Sequence, residues 1–480
     1  MAPSAISYIL PDNQETSLSL HKASNGHINV SKGIKRSSHL TRDLKKSFPI
    51  VTGGKGNFLT LEDGSVILDA AGGAAVSCLG HGNQRVIDAI TRQLMTGSTY
   101  LCSSIWTSNI VNELCEELIN GTQGAMSKVY LTGSGSEAME ASVKLSRQFF
   151  YEQDKNTPRV NFIARENSYH GITIGALGVS GHKARRAPFE PFLMNVHRVS
   201  ACNAYRQQTN ESNESFVAQK AAELEAKFQE LGPDTVVAFV CEPVVGAALG
   251  CVPYVPGYLK AMRDICHRHG ALFILDEVMS GMGRCGTLHA WQEEGVAPDL
   301  QTVGKGLAGG YQPIAAVFIS QKIVNGLHSG KFVHGSTYQA MPVQAAAALE
   351  VQRIMREDKL VENVRIQGEY LGQCLQEHLG KHPNVGDIRG KGLFWGIEFV
   401  QDKRTKEPFD PRRCVAQVVH DTAISDFKIA LYLGTGTVDG IRGDHVIIAP
   451  TYVSTREDIE YIAKTVAAVV NHVFSQRILL

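Results

Sequence analysis

The sequence has no excess of charge of either sign. Its 47 lysine and arginine residues balance 47 aspartate and glutamate residues, which leaves a formal net charge of zero. Proteins that bind nucleic acid or anionic membranes usually present a basic surface, so we expect no polyanionic partner. Charged residues make up 20% and hydrophobic residues 43% of the 480 residues, which is typical of a folded globular chain and excludes extensive disorder.

Regular cysteine spacing and long hydrophobic runs are also missing. The ten cysteines form no C-x-x-C pair, which argues against a structural zinc site and a disulfide scaffold. The most apolar stretch, Val236 to Val252, contains Glu242 and Pro243 and is too short to span a bilayer. The amino terminus has no cationic and apolar signal pattern. We predict a soluble, cytoplasmic protein without a membrane segment or a metal.

The organisation of the chain follows from its hydrophobic periodicity. Residues 1–45 are rich in polar residues without apolar periodicity and predict a mobile N-terminal arm. From Val129 to Ile319, short apolar runs alternate with helical patterns, which predicts an α/β fold with a mostly parallel sheet. Ligands of such sheets bind at the carboxyl ends of the strands. Longer helices after Pro342 predict a smaller α+β domain.

A turn of small residues follows the first predicted strand of this sheet. The segment Leu131 to Ala138, L-T-G-S-G-S-E-A, leads directly into a predicted helix. Such a turn exposes backbone N–H groups at the positive end of a helix and can bind phosphate, with the hydroxyl of Ser136 added. It also fits the dinucleotide pattern G-x-G-x-x-G/A. A serine cap with a glutamate in the first turn explains the same residues without any ligand.

Two acidic residues and one lysine lie in segments where a charged side chain could serve a ligand. Asp276 and Glu277 follow the predicted buried strand Ala271 to Leu275, where a carboxylate needs a cation such as a protonated pyridine nitrogen. Strand alternation sends the two carboxylates to opposite faces, so only one can serve a given ligand. A helix cap or an ion pair with Arg284 is the alternative. Lys305, among glycines in G-K-G-L-A-G-G, is either a solvated surface lysine or an amine that forms a Schiff base.

These segments together resemble the class III aminotransferases, which are pyridoxal-phosphate enzymes of fold type I. The family combines an S-G-S-E-A turn, a tyrosine with His-Gly, an Asp-Glu-Val segment leading to G-x-G-R, and a lysine in K-G-L about thirty residues later. The matching segments here are Ser134 to Ala138, Tyr169 to Gly171, Asp276 to Arg284 and Lys305 to Leu307. The resemblance extends from about Gly56 to Ile462 and implies a mostly parallel, seven-stranded type of sheet in the cofactor domain.

The resemblance implies roles for four residues around the ring of pyridoxal 5'-phosphate. Lys305 would form the internal aldimine and then move a proton between the substrate carbon and cofactor C4′. Asp276 would keep the pyridine nitrogen protonated, which strengthens the cofactor as an electron sink. Tyr169 would stack on one face of the ring, and Val278 would pack on the other.

The resemblance also implies which residues bind the phosphate of the cofactor and how the enzyme assembles. Gly135 and Ser136 would bind the phosphate. The segment His334 to Tyr338 resembles the loop that reaches across a dimer, so Thr337, with Ser336, would complete the phosphate site from the second subunit. The expected active unit is therefore a homodimer with shared active sites. We expect no direct role in catalysis for two other histidines in or near these motifs, His81 and His170.

The motifs identify the cofactor better than the amine. Members that act on ornithine, acetylornithine or GABA carry glutamine where Met279 stands and an arginine before a Pro-Pro segment, which here reads Ala449 to Thr451. Both departures count against those substrates. Arg442 resembles the movable loop arginine of ω-transaminases, and Glu242 matches a glutamate near the substrate side. The alternatives are a solvated loop arginine and an acid paired with a neighbouring arginine.

The expected function is ping-pong transamination from an amine or amino acid donor to a keto acid or carbonyl acceptor. Racemisation, decarboxylation and phospho-elimination by a phospho-lyase stay open, because they pass through related carbanions on the same cofactor. A nicotinamide-dependent oxidoreductase would leave Lys305 and Asp276 without a role. An inactive binding protein is disfavoured by the intact lysine.

The same resemblance predicts the domain boundaries. Residues 46–80 would form the N-terminal part of the small domain, residues 81–341 the large cofactor-binding domain, and residues 342–480 the C-terminal part of the small domain.

Overall fold

The structure, a computed structural model, describes residues 38–207 and 211–475. The chain divides into two compact units, of which the first ends at Pro49 and the second begins at Ile50. Of the first unit, residues 38–49 are described and contain bends and turns. Most of the predicted N-terminal arm, residues 1–37, lies outside the described residues, so its mobility stays a prediction. No helix of the described residues is long and apolar enough to cross a membrane.

Strands and helices alternate through most of the second unit. The strands are β1 (Val51–Lys55), β2 (Phe58–Leu61), β3 (Val66–Asp69), β4 (Lys128–Thr132), β5 (Asn161–Arg165), β6 (Val196–Val199), β7 (Val236–Cys241), β8 (Val244–Val245), β9 (Val252–Pro253), β10 (Leu272–Asp276), β11 (Leu300–Val303), β12 (Ala315–Ile319), β13 (Val385–Lys391), β14 (Phe394–Phe399), β15 (Ile429–Ala430), β16 (Tyr432–Thr435) and β17 (Asp444–Ile448). The helices are α1 (Gly72–Ala75), α2 (Gln84–Met95), α3 (Asn109–Asn120), α4 (Gly135–Gln153), α5 (Ile174–Val179), α6 (Lys183–Arg186), α7 (Ala204–Gln207), α8 (Asn213–Leu231), α9 (Tyr258–Arg268), α10 (Gln321–Gly326), α11 (Pro342–Glu357), α12 (Leu360–Leu379), α13 (Val415–Ser425) and α14 (Arg456–Ser475).

A sheet of seven strands, in the order β4-β12-β11-β10-β7-β5-β6, forms the centre of this unit. The pairs from β11 through β6 are parallel, whereas β12 runs antiparallel to both of its neighbours. Strand β7 is buried at every position, because helices cover both faces of the sheet. Val240 packs in the hydrophobic cluster that contains α4, and Phe239 packs in the cluster that contains α8 and α9. The predicted α/β class with a mostly parallel sheet is confirmed.

Two smaller sheets connect the early and late parts of the unit. The alternation of apolar and polar residues from Gly56 to Asp69 predicts a hairpin, and β2 and β3 form it. Strand β15 adds to β3 in parallel, with Ile429 opposite Leu68. Strands β13, β14, β17 and β16 form an antiparallel sheet. One core cluster contains Leu68 together with Val364 and Ile462. Segments from both ends of the sequence thus build the smaller α+β region, as expected. This packing supports the predicted domain boundaries, which we retain as a proposal.

Several strands were not predicted, and β11 is one of them. Strand β11 reads L-Q-T-V and is fully buried although two of its four side chains are polar. Gln301 accepts a hydrogen bond from the indole N–H of Trp291 at 3.1 Å, and Thr302 donates to Asp276 at 3.1 Å. Partners distant in sequence therefore allow a strand that its own hydrophobicity does not indicate.

Candidate active site

Chain segments that leave the carboxyl ends of five sheet strands meet at one edge of the sheet. Asp276 ends β10, and Glu242 directly follows β7. The turn before α4 follows β4, Tyr169 lies beyond β5, and Lys305 comes two residues after β11. Because parallel strands end at the same edge, residues far apart in sequence become neighbours there.

The carboxylate of Asp276 is buried and held by three donors. His170 Nδ1 lies 2.8 Å from Asp276 Oδ2. The Val278 backbone N–H and the Thr302 hydroxyl donate to Oδ1 at 3.0 and 3.1 Å. His170 Nε2 is buried without a partner among the described residues. These contacts fix the position of the carboxylate, and the interpretation of His170 as a structural partner agrees with them.

Glu277 points away from this cluster, as strand alternation predicts. It is fully buried and accepts hydrogen bonds from the backbone N–H groups of Ala290 and Trp291 at 2.7 and 3.0 Å. Burial raises the pKa of its carboxyl group to about 7, against the opposing effect of these two donors. The alternative ion pair with Arg284 is not formed, because the Arg284 guanidinium donates instead to backbone carbonyls.

Lys305 has a strained backbone conformation, and its amine lies within electrostatic range of the Asp276 carboxylate. Its φ of 45° falls in the left-handed region, which non-glycine residues adopt at a cost and which recurs at functional sites. Burial lowers the pKa of its ammonium group to about 8, although the charge of Asp276 acts in the opposite direction. A larger fraction of neutral amine is therefore present at neutral pH than on a solvated lysine, which is the form needed for nucleophilic attack on a carbonyl.

Val278 lies between the two glycine-rich segments. A Cβ at Gly135 would lie 2.8 Å from Val278 Cγ1, and one at Gly304 would lie 3.4 Å from the same atom. Only a residue without a side chain fits at Gly135 without displacing Val278. The structure therefore joins the turn before α4, the segment after β10 and the segment that carries Lys305 into one cluster.

The start of α4 is consistent with both interpretations of its sequence, a serine-capped helix and a phosphate-binding turn. Ser134 caps the helix by accepting from the backbone N–H of Glu137 at 3.2 Å, and the Glu137 carboxylate accepts from Gly133 at 2.7 Å. The first N–H groups of a helix, here those of Gly135 and Ser136, have no intrahelical acceptor. The capped turn thus exists, and it still leaves donors of the kind that bind phosphate.

Ser136 also connects this turn with the tyrosine motif. Its Oγ accepts from the backbone N–H of Ile172 at 3.1 Å, and a Cβ at Gly171 would lie 2.8 Å from that oxygen. The backbone N–H of Tyr169 donates to Glu242 Oε1 at 3.0 Å. Burial raises the pKa of the Glu242 carboxyl group. Tyr169 and Glu242 are therefore neighbours.

Ser336 and Thr337 are placed differently from the other predicted residues. The backbone N–H of Ser336 donates to Gln339 at 3.0 Å, and Thr337 is exposed. His334, in the same segment, lies 2.9 Å from the ammonium group of Lys144 on α4. The hydrogen bonds found for this segment within the described residues thus tie it to its own turn and to α4. None of them reaches Asp276 or Lys305.

Arg442 lies in the loop between β16 and β17. Its Nε pairs with Asp439 at 2.7 Å, and its backbone N–H donates to the same carboxylate at 2.8 Å. This hydrogen bond raises the pKa of the Arg442 guanidinium. A Cβ at Gly440 would touch Asn167 and Lys183 at 3.2 Å, so the loop packs beside the chain that carries Tyr169.

Met279 and His81 both make contacts with other segments of the fold. Met279 packs against Gly246, where a Cβ would lie 2.4 Å from its sulfur atom, and it joins a cluster with Phe394. His81 Nε2 lies 3.2 Å from Asp69, and its backbone exchanges hydrogen bonds with Gly56. His81 therefore makes the structural contacts expected of it.

One residue that the sequence analysis did not select is Arg185. Its guanidinium lies 4.3 Å from the centroid of the Tyr169 ring, in the geometry of a cation–π contact. In the sequence it belongs to the polar run K-A-R-R, which has no motif spacing. The pair of adjacent arginines was the only sequence feature that pointed to Arg185, and the sequence does not show which of the two arginines faces the tyrosine.

Comparison with known proteins is decisive for the family. The sequence profile of the family described as "Aminotransferase class-III" matches residues 41–470. The chain belongs to this family. An "Aminotransferase" of Gibberella zeae is 54% identical over 422 residues, which cover 87% of this chain and 82% of that protein. The taurine–pyruvate aminotransferase of Bilophila wadsworthia is 32% identical, with 88% of this chain and 92% of that protein covered.

Solved structures of class III relatives have the same fold. The ω-transaminase of Pseudomonas jessenii, in complex with PMP, has a TM-score of 0.85 at 30% identity and covers 92% of this chain and 96% of its own. An (S)-enantioselective ω-transaminase of Thermomicrobium roseum has the same TM-score at 31% identity, covering 91% and 96%. Fold type I and transaminase activity, both expected from the motifs, are thereby confirmed at the level of the family, which depends on pyridoxal phosphate.

The residues at the sheet edge also fit that cofactor on physical grounds. A flat, phosphate-bearing pyridine needs anion donors at one end, a buried carboxylate at the other and an amine beside it. The first N–H groups of α4, those of Gly135 and Ser136, supply the anion donors. The anchored carboxylate of Asp276 and the partly neutral amine of Lys305 supply the two remaining requirements.

Proposed function

We propose that this class III aminotransferase binds pyridoxal 5'-phosphate at Lys305 and transfers an amino group from an amine or amino acid to a keto acid or carbonyl compound. The observation that carries the proposal is that Lys305, whose pKa is lowered to about 8, lies within electrostatic range of the Asp276 carboxylate, which three hydrogen bonds hold in place. Racemisation, decarboxylation and phospho-elimination have no support from the family comparison, in which the named relatives are aminotransferases.

The cofactor, when bound, stabilises negative charge on the substrate carbon so that a proton can leave it. Asp276 would hold a proton on the ring nitrogen of the cofactor, and His170 and Thr302 would keep its carboxylate in place. The amine of Lys305 would bind the cofactor covalently at rest. Once the amino group of the substrate has displaced it, the freed amine of Lys305 would accept the proton from the substrate carbon and deliver it to cofactor C4′, on the other side of the intervening nitrogen.

Four further residues would position the cofactor. Val278 would pack on one face of its ring, and Tyr169 would lie against the other. The N–H groups of Gly135 and Ser136 would bind its phosphate at the start of α4.

The test is to attach the cofactor and locate it. Purified protein is incubated with pyridoxal 5'-phosphate, treated with borohydride and digested, and the peptides are weighed by mass spectrometry. We expect a pyridoxyl group on Lys305 and a visible absorption band that primary amines bleach. Lys464→Ala, which replaces an exposed lysine of α14, is the matched control for Lys305→Ala. Normal turnover by Lys305→Ala, or a pyridoxyl group elsewhere, would contradict the mechanism.

We also propose that the active unit is a homodimer in which Ser336 and Thr337 complete the phosphate site of the partner subunit. The exposure of Thr337 and the absence of a hydrogen bond from this segment to Asp276 or Lys305, among the described residues, support this assignment. Mixing Lys305→Ala chains with Thr337→Asp chains tests it. Hybrid dimers should regain activity, because one site then has both native residues. Full activity of Thr337→Asp alone would refute the shared site.

On the substrate side, we propose that Glu242 lies close to the amine and that the Arg442 loop contributes to the pocket. The position of Glu242 beside Tyr169 supports this proposal, since its carboxylate accepts hydrogen bonds from the N–H groups of Tyr169 and Gly246 at 3.0 and 3.1 Å. Glu242→Gln should change amine selectivity more than cofactor content. The cytoplasmic location and the exclusion of ornithine and GABA as substrates stay predictions.

A further inference from the structure

Arg185 lies in the candidate site, although it belongs to none of the sequence motifs. It belongs to the short helix α6, and its side chain is partly buried. The guanidinium stands over the Tyr169 ring at 4.3 Å. Its charge is also one of those that lower the pKa of Lys305, after the larger effect of burial. Both observations put a positive charge at the cofactor-binding end of the sheet.

The guanidinium of Arg185 has no carboxylate partner among the described residues. Its neighbour Arg186, by contrast, donates to the carbonyls of Leu177 and Ser180 at 3.0 and 2.8 Å and pairs with Glu190 at 2.9 Å. Arg186 therefore stabilises the local fold. Arg185 keeps its N–H donors available for a ligand.

An unpaired, partly buried guanidinium favours one class of ligand. Its planar set of donors matches a carboxylate in a bidentate arrangement, and partial burial strengthens the resulting charge-assisted bond. The phosphate of the cofactor has its own donors at the start of α4. The substrate is the remaining molecule that can bring a negative charge to this place.

We propose that Arg185 binds the carboxylate group of the amino acid donor and of the keto acid acceptor. This inference rests on the proposed transaminase function and specifies its substrate class as carboxylate-bearing. Arg442, the sequence-based candidate for this role, is already paired with Asp439 at 2.7 Å and half-exposed. A substrate would have to displace that carboxylate to reach Arg442, whereas Arg185 needs no such exchange.

The experiment compares donors that differ only in the carboxylate. Holoenzyme is mixed with 3-aminopropanoate or propylamine, and with 5-aminopentanoate or pentylamine. The first half-reaction is followed by cofactor absorbance without an acceptor, since an acceptor such as pyruvate itself carries a carboxylate. The variants are Arg185→Gln, Arg185→Lys and Arg442→Gln. Lys183→Gln removes an exposed charge from the same helix and is the control.

We expect Arg185→Gln to raise the half-saturating concentration of the amino acids by roughly 10- to 100-fold, the range for a lost charge-assisted hydrogen bond. The simple amines should react as with wild type, and the limiting rate should change little, because the lost interaction is made equally in the ground and transition states. Arg185→Lys should restore part of the affinity. Lys183→Gln should match wild type, and Arg442→Gln should have a smaller effect than Arg185→Gln.

A second measurement does not depend on turnover. Pentanoate, which lacks the amine, is titrated calorimetrically into wild type and Arg185→Gln holoenzyme, and we expect weaker binding to the variant. An unchanged ratio of amino acid to amine reactivity in Arg185→Gln, together with unchanged pentanoate binding, would overturn the inference. A wild-type protein that reacts with neither donor class would instead contradict the proposed function, so the two failures are distinguishable.

Discussion

The acidity of Lys305 gives a direct test of the geometry around it. Burial lowers the pKa of Lys305 from 10.5 to about 8. At pH 7 a group with that pKa is about 9% neutral, against about 0.03% for a pKa of 10.5, a difference of about 300-fold. We therefore expect Lys305 of the cofactor-free protein to react with electrophiles much faster than a solvated lysine at neutral pH.

The perturbation is Asp276→Asn. The negative charge of Asp276 raises the pKa of Lys305 and so acts against the effect of burial. Removal of that charge leaves burial and the nearby arginines, which act in the same direction, and the pKa of Lys305 should fall further. The pH at which the amine becomes reactive should therefore shift downward in the variant, whereas loss of a hydrogen bond alone gives no such shift.

Competitive labelling measures this quantity. Cofactor-free protein is treated with trace acetic anhydride between pH 6 and 11, and the acetylated fraction of the Lys305 peptide is compared with that of exposed lysines such as Lys464. The wild-type profile should have its midpoint near pH 8. A midpoint close to that of Lys464 would refute the burial of Lys305. An upward shift of the midpoint in Asp276→Asn would refute the proximity of Lys305 to Asp276.

Three further substitutions test other contacts of the structure. Gly135→Ala should destabilise the protein by about 1–3 kcal/mol, because its Cβ would lie 2.8 Å from Val278 Cγ1. The additional change Val278→Ala should recover most of the lost stability, as measured by thermal unfolding. No recovery would refute the contact. Asn83→Ala should cost about 1 kcal/mol in urea unfolding, since the Asn83 side chain accepts two N–H groups at the start of α2, while Asn83→Ser should be nearly neutral. His170→Ala removes the partner of Asp276 and should speed loss of cofactor on dialysis; retention equal to wild type would show that His170 does not position the carboxylate.

Local sequence patterns were sufficient for most of the elements. Between Asn83 and Thr96, apolar residues at helical spacing predict a helix, which is α2 and begins one residue after its cap Asn83. The apolar run Val236 to Cys241 predicts a strand, which is β7. Such elements carry their own signal, because apolar periodicity and capping residues act within a few residues of chain. The same holds for the motif residues Gly135, Asp276 and Lys305, whose types and spacing identify the family.

Other properties depend on contacts between distant segments. Strand β11 is stable despite its polar residues, because the buried partners of Gln301 and Thr302 lie on neighbouring segments of the chain. The hydrogen bond between His170 and Asp276 joins residues 106 positions apart. Nothing in the spacing of either residue indicates it.

The sequence by itself determined the α/β class, the family and the cofactor chemistry, because these follow from local periodicity and from residue types in fixed order. Only the tertiary structure decided which arginine is available to a substrate. The sequence does not distinguish Arg185 from Arg186, and the resemblance to ω-transaminases favoured Arg442 instead. Folding pairs Arg186 with Glu190 and Arg442 with Asp439 and leaves Arg185 over the Tyr169 ring. The availability of a charge depends on what packs beside it, and packing is set by the whole fold.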